Sequence, residues 1–542
     1  YKRQALAFHY LFRRQETTRH SSNLKTVFSF ASALAFHYLC QIVFQTQKQL
    51  MNFKKTNLFI AALCLCSAAQ AEQADSTLTY RIEASGNVSE GTYAPLWFTA
   101  NRYGLSSQEP NSGFLRAGIA YNRQLPHHWR IQAGLDLAGT VNQTSNFVVQ
   151  QAYGDISWRF LTLSIGSKER TGGPLEKNEH LSSGMLVEGN NARPVPQVRG
   201  EIADYVSVPG TKGWLALKGH IAYGMFTDDS WQESFAAAGQ SYGRDILYHS
   251  KALMFRIGNR EKLPLEFEFG LLDAAQFAGD QMKKNADGSS TLVHDMPDGL
   301  DSFIKAFLPV RSEDKMANVE GNHVGSWNFA LNYYLHDWKF RVYLEHYFDD
   351  HSQMFWQYGR WKDGQLGIDI TLPKNRFVSN VVWEMMSTKD QTGPILYDGF
   401  AGSFPEYQVS AGDNYYNNGG YQAWQHWGYG MGNPLLPGPI YNQDGKITFK
   451  SNRVRSHHVG IEGNPATEWN YRVLVSFARH WGTYFVPLDK QRKQFNSLYE
   501  VTYTPQWTKG WSVSAALGVD RGNYLGNSTG GMLTIRKTGG IL

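Results

Sequence analysis

The sequence predicts an all-β chain, a transmembrane antiparallel β-barrel of 16 to 18 strands. Three observations carry this. Segments of about ten residues alternate apolar and polar side chains, a length that suits a tilted strand crossing a bilayer. Tryptophan and tyrosine gather at the segment ends, where an interfacial girdle puts ring bodies in lipid and polar atoms in water. The chain is also polar on average, with mean hydropathy −0.42, yet 14% of it is aromatic and it holds 52 glycines. A barrel hides its apolar residues at every second position, so its average hydropathy resembles that of a soluble protein.

The N-terminal region reads as processing sequence. Residues 51–71, MNFKKTNLFIAALCLCSAAQA, place Lys54 and Lys55 before an apolar run, and small residues follow up to Ala71. That order is a signal peptide, with cleavage expected before Glu72. Residues 1–50 repeat ALAFHYL at Ala5–Leu11 and Ala33–Leu39, and are read as an over-extended N-terminal reading frame. Residues 72–542 are expected to form one outer-membrane barrel domain. Residues 1–71 carry nine Lys or Arg and one Asp or Glu, so the net charge of +5 becomes −3 for residues 72–542. No electrostatic case for nucleic acid remains. Cys40, Cys64 and Cys66 all fall in the removed region, which excludes a disulfide framework and thiol chemistry. No apolar run of 18 residues follows residue 71, so no membrane helix is expected.

Taken in order, the strands are expected near 77–88, 112–124, 128–142, 145–158, 160–168, 182–190, 213–226, 246–258 and 264–274. The others fall near 324–336, 338–348, 364–372, 377–387, 454–463, 468–480, 495–505, 510–520 and 528–538. The alternation is plain in several. Trp129, Ile131, Ala133, Leu135 and Leu137 oppose Arg130, Gln132, Gly134, Asp136 and Ala138. Leu265, Phe267, Phe269 and Leu271 oppose Glu266, Glu268 and Gly270. Carboxylates on one face are costly in a dry core and cheap in a wet lumen, which favours a barrel over a soluble sandwich. Trp129, Trp158, Trp214, Trp338, Trp469, Trp507 and Trp511 are the expected girdle. Connections near Phe160, Asp337, Asn464 and Gly510 are short, whereas 169–212, 227–245, 275–323 and 388–453 are long. Short turns are expected on the periplasmic side and long loops outside.

Several segments resemble the capsule-assembly Wzi family of Gram-negative outer-membrane proteins, most of all its Bacteroidetes-type members. They are YAPLWFTANRYG (Tyr93–Gly104), LSIGSKERTGGP (Leu163–Pro174), NARPVPQVR (Asn191–Arg199), KGHIAYGMFTDD (Lys218–Asp229) and DGQLGIDITLP (Asp363–Pro373). The order of these segments carries the resemblance over nearly all of residues 72–542. It implies a barrel of about 18 strands, plugged by inward-folded loops and short helices. It implies a lectin-like role without enzymatic activity, holding exported capsular polysaccharide at the cell surface. The ending GGIL departs from barrels that close on an aromatic residue.

The stretch DNYYNNGGYQAWQHWGYGMGNP, residues 413–434, has neither helical period nor strand alternation. Its Tyr415, Tyr416, Tyr421, Trp424, Trp427 and Tyr429 offer rings to stack on sugar faces, and Asn417 an amide for hydroxyls. The competing reading makes it the plug, with the rings packed inside the lumen. Arg170 and Arg193, with Arg199, flank the first long loop and could pair with an acidic polymer. Their competing reading is an internal ion-pair network with Glu169 and Glu176. Glu266 and Glu268 lie two apart on one strand and do not form a glycosidase pair. Neighbouring histidines, His127 with His128 and His457 with His458, point to opposite faces of a strand and do not share a metal. No catalytic, cofactor or metal motif appears. The expected partners are capsular or surface polysaccharide, outer-membrane lipids and the outer-membrane assembly machinery, with the chain a monomer. A saccharide porin and a barrel hydrolase of envelope lipids are the alternative functions.

Overall fold

The computed structural model describes residues 76–171, 173–308, 321–349, 354, 363–391 and 413–541. The expectations for residues 1–71 fall outside these. Eighteen strands form one closed antiparallel sheet. In chain order they are β1 (Ser76–Gly91), β2 (Asn111–Leu125), β3 (Trp129–Val141), β4 (Phe147–Trp158), β5 (Leu161–Ser167) and β6 (Gln197–Ser207). Then come β7 (Leu215–Met225), β8 (Leu247–Ile257), β9 (Leu265–Phe277), β10 (Asn322–Leu335), β11 (Trp338–Asp349) and β12 (Gly364–Thr371). The last are β13 (Asn380–Ser387), β14 (Val454–Ala466), β15 (Trp469–Gly482), β16 (Pro487–Tyr503), β17 (Trp511–Gly522) and β18 (Ser528–Gly540). Each pairs with its sequence neighbours, and β1 pairs with β18 from Thr79↔Gly540 to Gly91↔Ser528, which closes the barrel and leaves no edge.

Seventeen of the strand positions agree with the expected spans. The exception is a correction: residues 182–190 are not a strand, and the sixth strand is Gln197–Ser207. Residues 182–190 lie inside the barrel, with Ser183, Leu186 and Val187 wholly enclosed. A segment whose apolar residues Met185, Leu186 and Val187 are buried inside the lumen carries the apolar run of a strand without its pairing.

Connections alternate between two rims. On one rim lie the short turns 126–128, 159–160, 336–337 and 467–468, and on the other the long loops 92–110, 168–196, 226–246, 278–321 and 388–453. All seven girdle tryptophans sit at the short-turn rim and all are exposed, Trp507 most of all. Trp129 packs on Trp158 with ring centroids 6.4 Å apart, and Trp469 on Tyr503 at 4.7 Å. Between the rims the outward face is apolar, with Ile82, Leu115, Ile131, Leu253, Leu331 and Leu517 exposed. This is the surface that meets hydrocarbon in a membrane barrel.

The inward face is polar toward the short-turn rim. Glu268 accepts from both terminal nitrogens of Arg341 at 3.1 and 3.0 Å, and Glu266 accepts from Tyr334 Oη at 2.9 Å. Toward the long-loop rim apolar residues join it, with Leu272, Val324, Val382, Met386, Val454, Leu474 and Leu498 buried beside inward carboxylates such as Glu345, Glu384 and Asp520, which accept the N–H groups of Leu186, Ser183 and Leu96. These apolar residues pack in one cluster with residues of loops 92–110 and 168–196 and of segment 413–453, which fill the lumen. The first loop contributes a short helix, α1 (Leu96–Thr99), all of it buried. Gly460 on β14 faces loop 168–196 so closely that a Cβ there would stand 2.4 Å from Leu181 O. Helix α2 (Asp229–Phe235) and a three-stranded sheet (Ser241–Arg244, Gly279–Lys284, Ser290–Met296) extend the long-loop side.

Candidate functional site

The aromatic stretch starts as two small hairpins. Asn417–Asn418 pairs with Gln422–Ala423, and Gln425–His426 pairs with Tyr429–Gly430. The second turns at Trp427 and Gly428, both at positive φ (57° and 85°), the requirement of a type I′ turn. Glycine takes this backbone freely, whereas a bulky residue such as Trp427 is held there by its surroundings. Asp228 Oδ2 supplies the hold, accepting from the Trp427 N–H at 3.0 Å and from Gln425 Nε2 at 2.8 Å.

Most of the rings of this stretch are packing elements. Tyr415, Tyr416, Tyr421, Trp424 and Tyr429 are all buried. Trp424 Nε1 donates to Val187 O at 2.8 Å, Tyr416 Oη to Leu186 O at 2.5 Å, and Tyr429 Oη to Ser106 O at 3.0 Å. These bonds tie segment 413–434 to the other two lumen loops. Gly432 makes the approach possible, since a Cβ there would sit 2.4 Å from Leu186 O. Tyr415 Oη donates to Asp363 Oδ2 at 3.0 Å. That carboxyl also accepts the N–H groups of Asp390 and Gln391, and burial pushes it up to about 6.

Other candidates reach open space. Asn417 lines a cleft of about 410 Å³ at the long-loop rim, together with Asn322, Asn414, Asn418, Gln422, Asp349 and Asp413. Phe485, two-thirds exposed at the tip of turn 483–486, stands at its lip with Tyr484 edge-on at 5.5 Å. Asn417 is fully engaged within the protein: its Nδ2 donates to Phe449 O at 2.9 Å and Asn414 Oδ1 at 3.2 Å, and its Oδ1 accepts from Thr448 Oγ1 at 2.9 Å and Phe449 N at 2.8 Å, so it braces the cleft wall. Asn414 Oδ1 accepts from Asn452 Nδ2 at 2.7 Å. Such a cleft presents donors, acceptors and one aromatic face, the complement of a sugar's hydroxyls and its apolar ring face.

The arginines divide. Arg199 pairs with Glu201 at 2.6 Å, Glu169 with Arg116 at 2.9 Å, and Glu176 with Lys218. Arg170 instead donates to Ser164 Oγ at 2.7 Å and Arg193 to Thr144 Oγ1 at 2.6 Å. Neither forms an ion pair with a carboxylate among the described residues, and the Nε of each is enclosed without a partner there. Burial pulls both guanidinium groups down to about 10. Arg193 lies 4.2 Å from the centroid of the Trp427 ring, a cation–π pair near the long-loop rim. Arg170 lines a second space of about 480 Å³ under the plug, walled by Lys168, Lys177, Arg199 and Lys218 among others. Among the described residues no group of three or more metal-ligating side chains comes together. His458 points inward, bonded to Ser476 Oγ and Leu181 O at 2.7 Å each, while His457 faces out against Trp383.

Sequence reasoning missed the cleft's other members. Asn414, Asn418 and Gln422 lay in the quoted stretch without distinction from its buried rings. Phe485 and Val486 had a usable signal, an exposed apolar pair in a four-residue turn on the long-loop side.

No family model matches the sequence, and neither does any curated protein. Among solved structures the chain is similar to Wzi, described as an outer membrane protein involved in group 1 capsule assembly in Escherichia coli and as a carbohydrate-binding β-barrel. The TM-score is 0.51 at 14% identity, over 84% of this chain and 83% of that one. Two Pseudomonas aeruginosa outer-membrane barrels align less well. OpdK gives 0.45 at 10% identity, over 86% of this chain and 99% of its own. OprD gives 0.43 at 10%, over 88% and 98%. At these identities the likeness speaks to the fold, which is that of outer-membrane β-barrels.

Proposed function

We propose that this chain is an outer-membrane, lectin-like barrel of a Gram-negative bacterium that holds an exported capsular or surface polysaccharide at the cell surface. The observation that carries the reading is the amide-lined cleft at the long-loop rim, standing on a lumen packed with aromatic side chains. Asn414, Asn418 and Gln422 bond sugar hydroxyls, Asn417 holds Asn414 and residues 448–449 in place beneath them, and Phe485 stacks on a ring face. Trp427, half-buried and backed by the enclosed Arg193, offers a second ring face at the same rim. The similarity of fold to a barrel described as carbohydrate-binding supports the reading.

A glycan array on purified protein tests it. Binding to surface polysaccharide fragments is expected, and it falls when Phe485 and Asn418 are replaced by alanine. In the bacterium, deletion releases polymer from the cell surface into the medium. Unchanged surface-attached polymer with no rise in released polymer overturns the proposal. Large steady currents in a planar bilayer would point to the porin function instead.

A further inference from the structure

The charges around the amide cleft at the long-loop rim have one sign. Its lining holds two carboxylates, Asp349 and Asp413, and no Lys, Arg or His among the described residues. Asp349 ends β11 and is held in place, its Oδ2 accepting the Tyr416 N–H at 3.0 Å and Tyr347 Oη at 3.3 Å. Lys446 and Lys450 flank the lining residues Ile447 and Thr448 in sequence and are exposed, yet neither borders the cleft, and Lys450 pairs with Asp444 at 3.0 Å. Arg193 is buried against Trp427 and does not border it either.

The neighbouring loops carry the same sign. The three-stranded sheet adjoins the cleft through Gln281, whose Nε2 donates to Gly419 O at 2.7 Å, and through Met296, whose Cε would stand 3.7 Å from a Cβ on Gly420. Asp280 and Asp295, next to these two residues in sequence, face each other across the sheet. Asp280 is paired with Arg244, whereas Asp295 is exposed. Residues 226–246 and 278–298, which build this sheet and α2, contain eight Asp or Glu against three Lys or Arg.

We propose that the cleft takes uncharged sugar units and discriminates against units bearing carboxylate, sulfate or phosphate. This specificity rests on the saccharide reading of the same cleft and names its substrate class. An acidic unit finds no cation to pair with and meets two like charges. In water a like charge about 6 Å away lowers affinity by about threefold, so the two aspartates together lower it by about tenfold. An uncharged unit has the opposite balance. Its hydroxyls donate to carboxylates in charge-assisted bonds, which are stronger than neutral ones, and its carbon-bound hydrogens meet Phe485. A polymer containing both kinds of unit is held at its uncharged ones.

The test is a glycan array probed with the full chain in mild detergent, carrying uronic-acid oligosaccharides beside their carboxyl-reduced counterparts and other uncharged oligosaccharides. Each reduced member keeps the backbone of its parent and has a hydroxymethyl group in place of the carboxylate. The saccharides that bind are expected to be uncharged, with each reduced member ahead of its acidic parent by about tenfold. The gap narrows from about 0.01 M to about 0.15 M salt, as the Debye length falls from about 30 to about 8 Å. In Asp349→Asn/Asp413→Asn, which keeps an oxygen to accept the Tyr416 N–H, the gap closes to within about twofold. Folding is followed by heat-modifiable migration on gels, and the salt dependence of the wild type carries the test should the double variant not fold. Acidic parents that bind as well as their reduced forms, or a gap that persists in the folded double variant, overturn the specificity and leave the saccharide reading standing. Absence of binding to every saccharide, acidic or uncharged, overturns the saccharide reading itself.

Discussion

Trp424→Ala tests what the aromatic segment does. Trp424 has no exposed surface, stacks near Tyr248 with centroids 6.3 Å apart, meets Phe226 edge-on at 6.4 Å, and donates its indole N–H to Val187 O. Burying an aromatic side chain removes roughly 150–250 Å² from water, which at about 25 cal/mol/Å² corresponds to about 4–6 kcal/mol. Truncations of this size cost about 3–5 kcal/mol in cores, and the orphaned Val187 carbonyl adds about 1 kcal/mol. The loss falls on the docking of residues 413–453, because the wall keeps its closed ladder. Amide hydrogen exchange separates the two. Trp424→Ala is expected to accelerate exchange in 413–453 and in 182–190, to leave the wall strands protected, and to produce transient bilayer currents. Trp424→Phe, which loses mainly the N–H, is expected to cost only about 1 kcal/mol. Unchanged plug protection in Trp424→Ala with loss of saccharide binding would refute this reasoning and make Trp424 a contact residue.

The Glu188 carboxyl, enclosed beside Tyr248 and Ser250, is pushed by burial from 4.5 up to about 7. Its contribution to plug docking is therefore full below about pH 4.5 and is lost as pH rises through 7, by at most about 3 kcal/mol. Exchange of loop 168–196 should be faster at pH 8 than at pH 5, and Glu188→Gln should flatten the difference. Arg116 is held by Asp136 at 2.5–2.9 Å and by Glu169 at 2.9 Å. Arg116→Ala leaves the Asp136 carboxylate without a cation, while Glu169 keeps Arg81 at 4.0 Å and Gln150, and should cost about 3–5 kcal/mol in thermal unfolding, with most of it recovered in Arg116→Leu/Asp136→Leu. Phe485→Ala should weaken saccharide binding by about 0.5–1.5 kcal/mol without changing the thermal midpoint, since its ring is mostly in solvent.

The wall was legible because each strand obeys a period of two against two different media. β9 shows it in five residues, with Glu266 and Glu268 inward and Phe267 outward. The one misplaced strand shows the limit. β6 begins just after Pro196 and its outward positions include Gly200, which thins the alternation, while residues 182–190 offer an apolar run that packs inside. The aromatic segment was legible in composition and not in orientation. The partner that fixes Trp424 is Val187, 237 residues away, and no local pattern reports a contact at that separation. Phe485 was separable from the buried rings only once turn 483–486 was known to lie on the long-loop rim.

The inner wall itself carries information about what the lumen must contain. A water-filled channel wets every inward position, and burying an apolar side chain of Val or Leu size is worth about 1.5–3 kcal/mol relative to leaving it wet. Val324, Val382, Met386, Val454, Leu474 and Leu498 are inward and buried at the long-loop half of the barrel. Their strands meet the plug at Leu181, Leu186, Trp424 and Leu436, all in the same packed cluster. Removing the plug would hydrate that whole band, so the apolar inward positions are matched to a filled lumen and mismatched to an open pore. The charged inward positions below it, such as Glu268 with Arg341 and Lys218 with Glu176, are matched to one another, each buried charge having an opposite charge in contact. Under the proposed function, a polymer on the long-loop side would meet the upper surface of the plug, where Asn414, Asn418 and Phe485 line the cleft.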